Sequence, residues 1–153
     1  IHLYRDPRSW VSSILRREKR SKRKYIPSLI MSSFIGKTLR YIQWDLMHKR
    51  IRHYIKENNL DCLTISYEEL CLNTENTIER IELFLDTKID QQKLSLSESG
   101  SHICVGNPSR KRNSKSQKIN YDYRWLKENT SLIDTIFTIL YWKKIKKFVY
   151  GNY

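Results

Sequence analysis

Arg5 and Ser13 stand eight residues apart in Ile1-His2-Leu3-Tyr4-Arg5-Asp6-Pro7-Arg8-Ser9-Trp10-Val11-Ser12-Ser13. A guanidinium offers a planar fork of N–H donors and a hydroxyl adds one more, a set suited to a phosphate. The apolar start reads as a strand, and Pro7 fits the first turn of a helix, where its missing N–H would have been an orphan donor. Arg5 then falls at the carboxyl end of a strand, where open α/β sheets bind ligands. Ser12 or Ser13 follows one to two helical turns later, within reach of the same anion. The spelling equally suits a plain strand–turn–helix junction with a charged cap.

Further donors lie in Ser99-Gly100-Ser101-His102-Ile103-Cys104-Val105-Gly106-Asn107-Pro108-Ser109-Arg110. Gly106 lets the backbone approach a phosphate closely, Asn107 can donate through its amide, and Arg110 presents a second fork. Tyr67 ends the run Cys62-Leu63-Thr64-Ile65-Ser66-Tyr67. Its ring can stack on a nucleobase for about 1–3 kcal/mol, or cover the core with its hydroxyl in water. His102 near Ser99 and Ser101 does not make a triad, because no nucleophile elbow surrounds either serine and no acid is spaced to orient the imidazole. A hydrogen bond that fixes the loop is the better role for it. Cys62, Cys71 and Cys104 contain no Cys-x-x-Cys pair, which argues against structural zinc or a disulfide framework.

Positioning these groups requires a βαβα order. Ile1–Tyr4 and Cys62–Tyr67 read as strands. Helices are expected over Pro7–Lys19 and Leu29–Ile55, the latter continuous or broken near Gly36, with Ile35, Leu39, Ile42, Leu46, Ile51 and Ile55 recurring at helical spacing. Trp44 lies a turn from Tyr41 and is expected to pack with it. A helix crossing between two strands implies parallel pairing. Asn73 or Asn76 can cap a helix carrying Ile78, Ile81, Leu83 and Phe84, and Ser131 can cap a last one with Leu132, Ile133, Ile136, Ile139, Leu140 and Ile145 inward. The aromatic tail Phe148, Tyr150 and Tyr153 is expected to dock on the core. Gln91–Asp122 is polar and punctuated by Gly100, Gly106 and Pro108, a loop-like stretch.

The 153 residues suit one domain or a large part of one. The first residue is Ile inside an apparent strand, so a preceding portion is expected. No run approaches the ~20 apolar residues of a membrane-spanning helix. The 29 Lys and Arg exceed the 16 Asp and Glu for a formal charge of +13. Arg16–Lys24 holds seven basic residues in nine and Arg110–Lys118 five in nine. Such clusters suit an anionic polymer or membrane surface, or a solvated basic face. Aromatics are not interleaved with them, so specific nucleic-acid binding is not expected.

Three segments taken together resemble the sulfotransferases that use 3′-phosphoadenosine 5′-phosphosulfate (PAPS), in their carbohydrate and bacterial branch. The Arg5/Ser13 spacing resembles the family's 3′-phosphate segment. Tyr67-Glu68-Glu69-Leu70, followed by a helix ending in Phe84-Leu85, resembles its Tyr-Glu-Asp/Glu-Leu step. The Ser-x-x-His-x-x-x-Gly-Asn-x-x-Arg wording at residues 99–110 resembles its later loop, with Asp122 and Trp125 in the Asp-x-x-Trp step beyond. The resemblance implies a P-loop-nucleotide-hydrolase-like α/β fold, a parallel sheet flanked by helices and incomplete at the N-terminus, with residues 1–153 as the C-terminal portion of a single sulfotransferase domain. It implies transfer of a sulfuryl group from PAPS to a hydroxyl or amine of a carbohydrate or glycolipid acceptor by the full-length enzyme. Arg5, Ser13, Tyr67, Gly106, Asn107 and Arg110 would contact the nucleotide, with no metal, and the 5′-phosphosulfate loop and catalytic base would precede residue 1. A cytoplasmic location is expected, or the Golgi membrane if a eukaryotic anchor precedes this portion. The alternatives are a basic nucleic-acid-binding module and an inactive sulfotransferase-like structural fragment.

Overall fold

The structure, a computed structural model, describes residues 1–20, 34–89, 121–128 and 131–151. In chain order these form β1 (His2–Tyr4), α1 (Pro7–Arg20), α2 (Phe34–Glu57), β2 (Thr64–Ser66), α3 (Tyr67–Leu72), α4 (Thr74–Leu85), α5 (Arg124–Glu128) and α6 (Leu132–Phe148). β1 and β2 pair in parallel, with His2 opposite Thr64 and Tyr4 opposite Ser66, as the intervening helices require. His2 and Tyr4 point inward while Leu3 faces out, the two-residue alternation of a strand.

The expected P-loop-like sheet flanked by helices is corrected by this architecture. Among the described residues the sheet has two strands of three residues each, and the remaining elements are helical. Two such strands are too narrow a surface for several helices, so the helices close mainly on one another. Trp10 and Tyr141 join two small cores, one of Tyr4, Trp44, Ile145 and Val149, the other of Val11, Tyr41 and Ile133.

The faces that α2 and α6 bury also differ from the aliphatic stripes expected of them. α2 buries Gly36, Tyr41, Trp44, Asp45 and His48 and leaves Ile35, Leu39, Ile42, Leu46 and Ile51 exposed. α6 buries Ile133, Asp134 and Ile145, whereas Leu132, Ile136, Ile139 and Leu140 are exposed. The aromatic face of α2 prevails because it combines a large apolar area with polar tips that find partners. Tyr41 Oη donates to Asp134 at 2.8 Å, and Trp44 Nε1 donates to the Arg5 carbonyl at 3.0 Å. Tyr41 stacks on Phe137 at 4.7 Å, and Trp44 faces Tyr141 at 5.8 Å, so the expected Tyr41–Trp44 pair gives way to two partners on α6. On α4 Ile78 is buried but Leu83 is 76% exposed.

Serine caps do much to fix where helices start. Ser66 and Glu69 form a reciprocal capping box at α3, and Ser131 and Asp134 form one at α6. Asn73 precedes α4 without a side-chain cap bond. The tail docks as expected where it is described: Phe148 stacks on Tyr4 at 4.7 Å, and Tyr150 Oη donates to Asp6 Oδ2 at 2.9 Å. Tyr153 lies outside the described residues. Among the described residues no helix is long and apolar enough to cross a membrane.

Candidate functional site

Parallel pairing brings the carboxyl ends of both strands to one edge, so Arg5-Asp6 after β1 and Tyr67-Glu68 after β2 become neighbours. The Arg5 guanidinium lies 4.6 Å from the centre of the Tyr67 ring, a cation–π contact worth about 0.5–2 kcal/mol. Its Nε donates to Ser9 Oγ at 2.8 Å, and Trp44 holds its carbonyl from α2. The fork is thus fixed through Nε and its backbone, and its Nη groups make no hydrogen bond among the described residues.

Beneath it sits a buried acidic layer. Asp6, fully buried, accepts the Arg8 N–H at 2.8 Å and the Arg8 Nε and Nη2 at 3.0 and 2.7 Å. The first bond satisfies an orphan donor of α1, and the other two make a bidentate ion pair with an arginine that also lies over Trp125 at 4.8 Å. Burial opposes the charge on Arg8, but Asp6 holds its guanidinium protonated well above the usual range.

Glu68 is also fully buried. Its Oε1 accepts the Asp6 N–H at 3.2 Å, and its Oε2 has no hydrogen-bond partner among the described residues. Burial pushes the Glu68 carboxyl from 4.5 up to about 7, with backbone N–H groups of Glu68 and Asp6 and the Arg5 charge opposing and the Asp6 charge adding. Glu69 turns the other way, into a part-buried ion pair with Arg80 on α4. Burial likewise pushes the Tyr67 hydroxyl up to about 12, Cys71 adding to the effect and Arg5 opposing it. Tyr121 closes the rim, 5.8 Å from Tyr67, its Oη accepting from Trp125 Nε1 at 3.0 Å.

Of the residues singled out from sequence, Arg5 and Tyr67 come together. Ser13, half-buried on α1, donates its hydroxyl to the Trp10 carbonyl at 2.9 Å. The α1 hydroxyl that meets Arg5 is Ser9, which lies four residues along, and that spacing is itself a contact signal. Gly106, Asn107 and Arg110 lie outside the described residues. Asp122 pairs with Arg16 at 2.8 Å and with Arg124, which ties the first basic cluster to α5. Sequence reasoning passed over Glu68 and Asp6 as well. The Ser66-x-x-Glu69 box and the N-terminal position of Asp6 before Pro7 could have located the turns they occupy, though not their burial. Among the described residues no group of His, Cys, Asp and Glu side chains could hold a metal ion.

The assembled groups are a cationic fork over an aromatic ring at the strand ends, with acids behind it. Such a set can seat an anion joined to a flat ring. A family model described as a sulfotransferase domain matches residues 1–136, which span both strands and all six singled-out positions. No curated protein and no solved structure matches the chain.

Proposed function

Since the chain belongs to the sulfotransferase domain family, we propose that it binds the adenosine 3′,5′-bisphosphate part of PAPS at the carboxyl ends of β1 and β2. The contact between Arg5 and Tyr67 carries this reading. The Nη groups of the fork, which make no hydrogen bond among the described residues, suit a 3′-phosphate, and the tyrosine ring suits the adenosine. Ser13, Gly106, Asn107 and Arg110 complete the proposed nucleotide contacts. The reaction served is sulfuryl transfer: an acceptor hydroxyl or amine loses its proton, a bond from its O or N to sulfur forms, and the bond from sulfur to the 5′-phosphate oxygen breaks. Catalysis of that kind rests on positioning and on cations that offset charge on the leaving oxygen. A glycan-like acceptor is the proposed substrate, with the basic clusters attracting its anionic groups.

A second reading, a sulfotransferase-like domain with a structural role and no turnover, is favoured by a specific observation. Part of the donor set already serves the fold, because the Ser13 hydroxyl is committed to Trp10 and Arg5 Nε to Ser9. Calorimetry with adenosine 3′,5′-bisphosphate and with adenosine 5′-monophosphate separates the two. Binding that is at least tenfold tighter for the bisphosphate is expected of a 3′-phosphate site. Equal affinities, or none, would leave the structural role, and tighter salt-dependent binding of RNA would favour a nucleic-acid module.

A further inference from the structure

Among the described residues, Glu68 is the one buried carboxyl at the strand ends that has an oxygen without a hydrogen-bond partner, and it holds the backbone that presents Arg5. Its Oε1 accepts the N–H of Asp6, the residue next to Arg5, while Oε2 has no partner although Glu68 is fully buried. We propose that Glu68 is a positioning residue that acts in its neutral form, so that an anion seated on Arg5 is bound together with a proton taken up by the Glu68 carboxyl. The inference rests on the nucleotide reading above and adds to it a proton linkage.

The groups facing Glu68 set the direction. Arg5 and Asp6 face it from the strand–helix junction, Cys71 from its own helix, Tyr121 from the segment before α5 and Tyr150 from the segment after α6. Glu69 and Arg80 neutralise each other to one side. Asp6 is committed to Arg8 and Tyr150, which leaves Arg5, among the described residues, as the cation beside Glu68. An incoming phosphate competes for that cation and adds negative charge next to a carboxyl already in a poorly solvated place. Ionised Glu68 then loses its compensation, whereas neutral Glu68 still accepts the Asp6 N–H through its carbonyl oxygen and keeps the turn in place. Because its protonation changes near pH 7, the linkage falls in a range that ordinary buffers cover.

The test is calorimetry of adenosine 3′,5′-bisphosphate binding between pH 6.5 and 8.5 for the unmodified chain and for Glu68→Gln, whose amide reproduces the neutral carboxyl. Ionisation of the ligand phosphates is common to both proteins and cancels in the ratio of their affinities. The unmodified chain is expected to lose affinity about fivefold relative to Glu68→Gln across this range, and the variant to bind the tighter at pH 8.5. Repeating the titration of the unmodified chain in buffers of different ionisation enthalpy needs no variant, and is expected to show net proton uptake in excess of the ligand's own. Parallel pH profiles, or no such uptake, would overturn the role of Glu68 while leaving the nucleotide site standing. No binding by the unmodified chain at any pH would instead remove the nucleotide reading, and this inference with it.

Discussion

At the scale of single residues, the site depends on Tyr67 serving two neighbours with one ring. Its face carries the Arg5 guanidinium and it meets the Tyr121 ring at a tilt of 35°, so truncation removes both an orienting contact for the fork and the proposed surface for a base. Tyr67→Ala is expected to weaken binding of adenosine 3′,5′-bisphosphate and of adenosine 5′-monophosphate by similar amounts, about 1–3 kcal/mol, because both ligands carry the base. Tyr67→Phe, which keeps the ring, should change either by less than about 0.5 kcal/mol. Calorimetric titration of each variant checks this, and a large loss in Tyr67→Phe would transfer the role from the ring to the hydroxyl. Arg5 and Tyr67 could be picked out from sequence because each ends a strand-like run. Glu68 could not, since in the chain it is one of two adjacent glutamates and only the fold decides which is buried without a full set of partners. Parallel pairing places Glu68 against the Asp6 N–H, while the reciprocal cap with Ser66 sends Glu69 towards Arg80.

At the scale of elements, Ser66 is the joint between sheet, helix and tail. Its hydroxyl accepts the Glu69 N–H at 3.0 Å and donates to the Val149 carbonyl at 2.8 Å. Ser66→Ala therefore removes a helix cap and leaves a buried carbonyl without its donor. The expected cost is about 2 kcal/mol in chemical denaturation, against about 0.5 kcal/mol or less for Ser13→Ala, whose only described bond is to a carbonyl within its own helix. Equal costs would contradict the joint role of Ser66. Local signals at this scale were legible: Pro7 opens α1, Ser131 caps α6, and the β-branched pair Thr64 and Ile65 lies in β2. The side on which α2 and α6 pack was not. Their aliphatic residues recur at helical spacing as strongly as any core stripe, yet Leu39 is 58% and Ile139 71% exposed. Periodicity names a face without saying what meets it, and here the competing aromatic face holds Tyr41 and Trp44 through hydrogen bonds that join distant parts of the chain.

At the scale of the whole molecule, two buried groups give opposite pH dependences to stability. Glu68 titrates at about 7 in place of 4.5, so the stability it contributes is fully present below 4.5 and is lost as pH rises through about 7. His48 is pressed down from 6.5 to about 4, by burial first and then by the His2 and Arg52 charges, with Asp45 opposing. Its contribution is fully present above 6.5 and is lost as pH falls through about 4. Each displacement corresponds to roughly 3 kcal/mol. Between pH 5 and 7 the two should partly cancel. Thermal denaturation is then expected to show Glu68→Gln losing stability on acidification relative to the unmodified chain, and His48→Gln losing it on the change to pH 7; slopes of the same sign would contradict this account. The molecular architecture was the least legible feature, because the βαβα order and the family resemblance implied a broad sheet, and only the packing shows that the helices close on one another. What survives that correction is the meeting of the two strand ends. The direct test of the proposed anion site there is Arg5→Ala titrated with both nucleotides. A loss of about 1.5–3 kcal/mol for adenosine 3′,5′-bisphosphate and under about 0.5 kcal/mol for adenosine 5′-monophosphate is the expected result; equal losses for the two, or none for the bisphosphate, would contradict it.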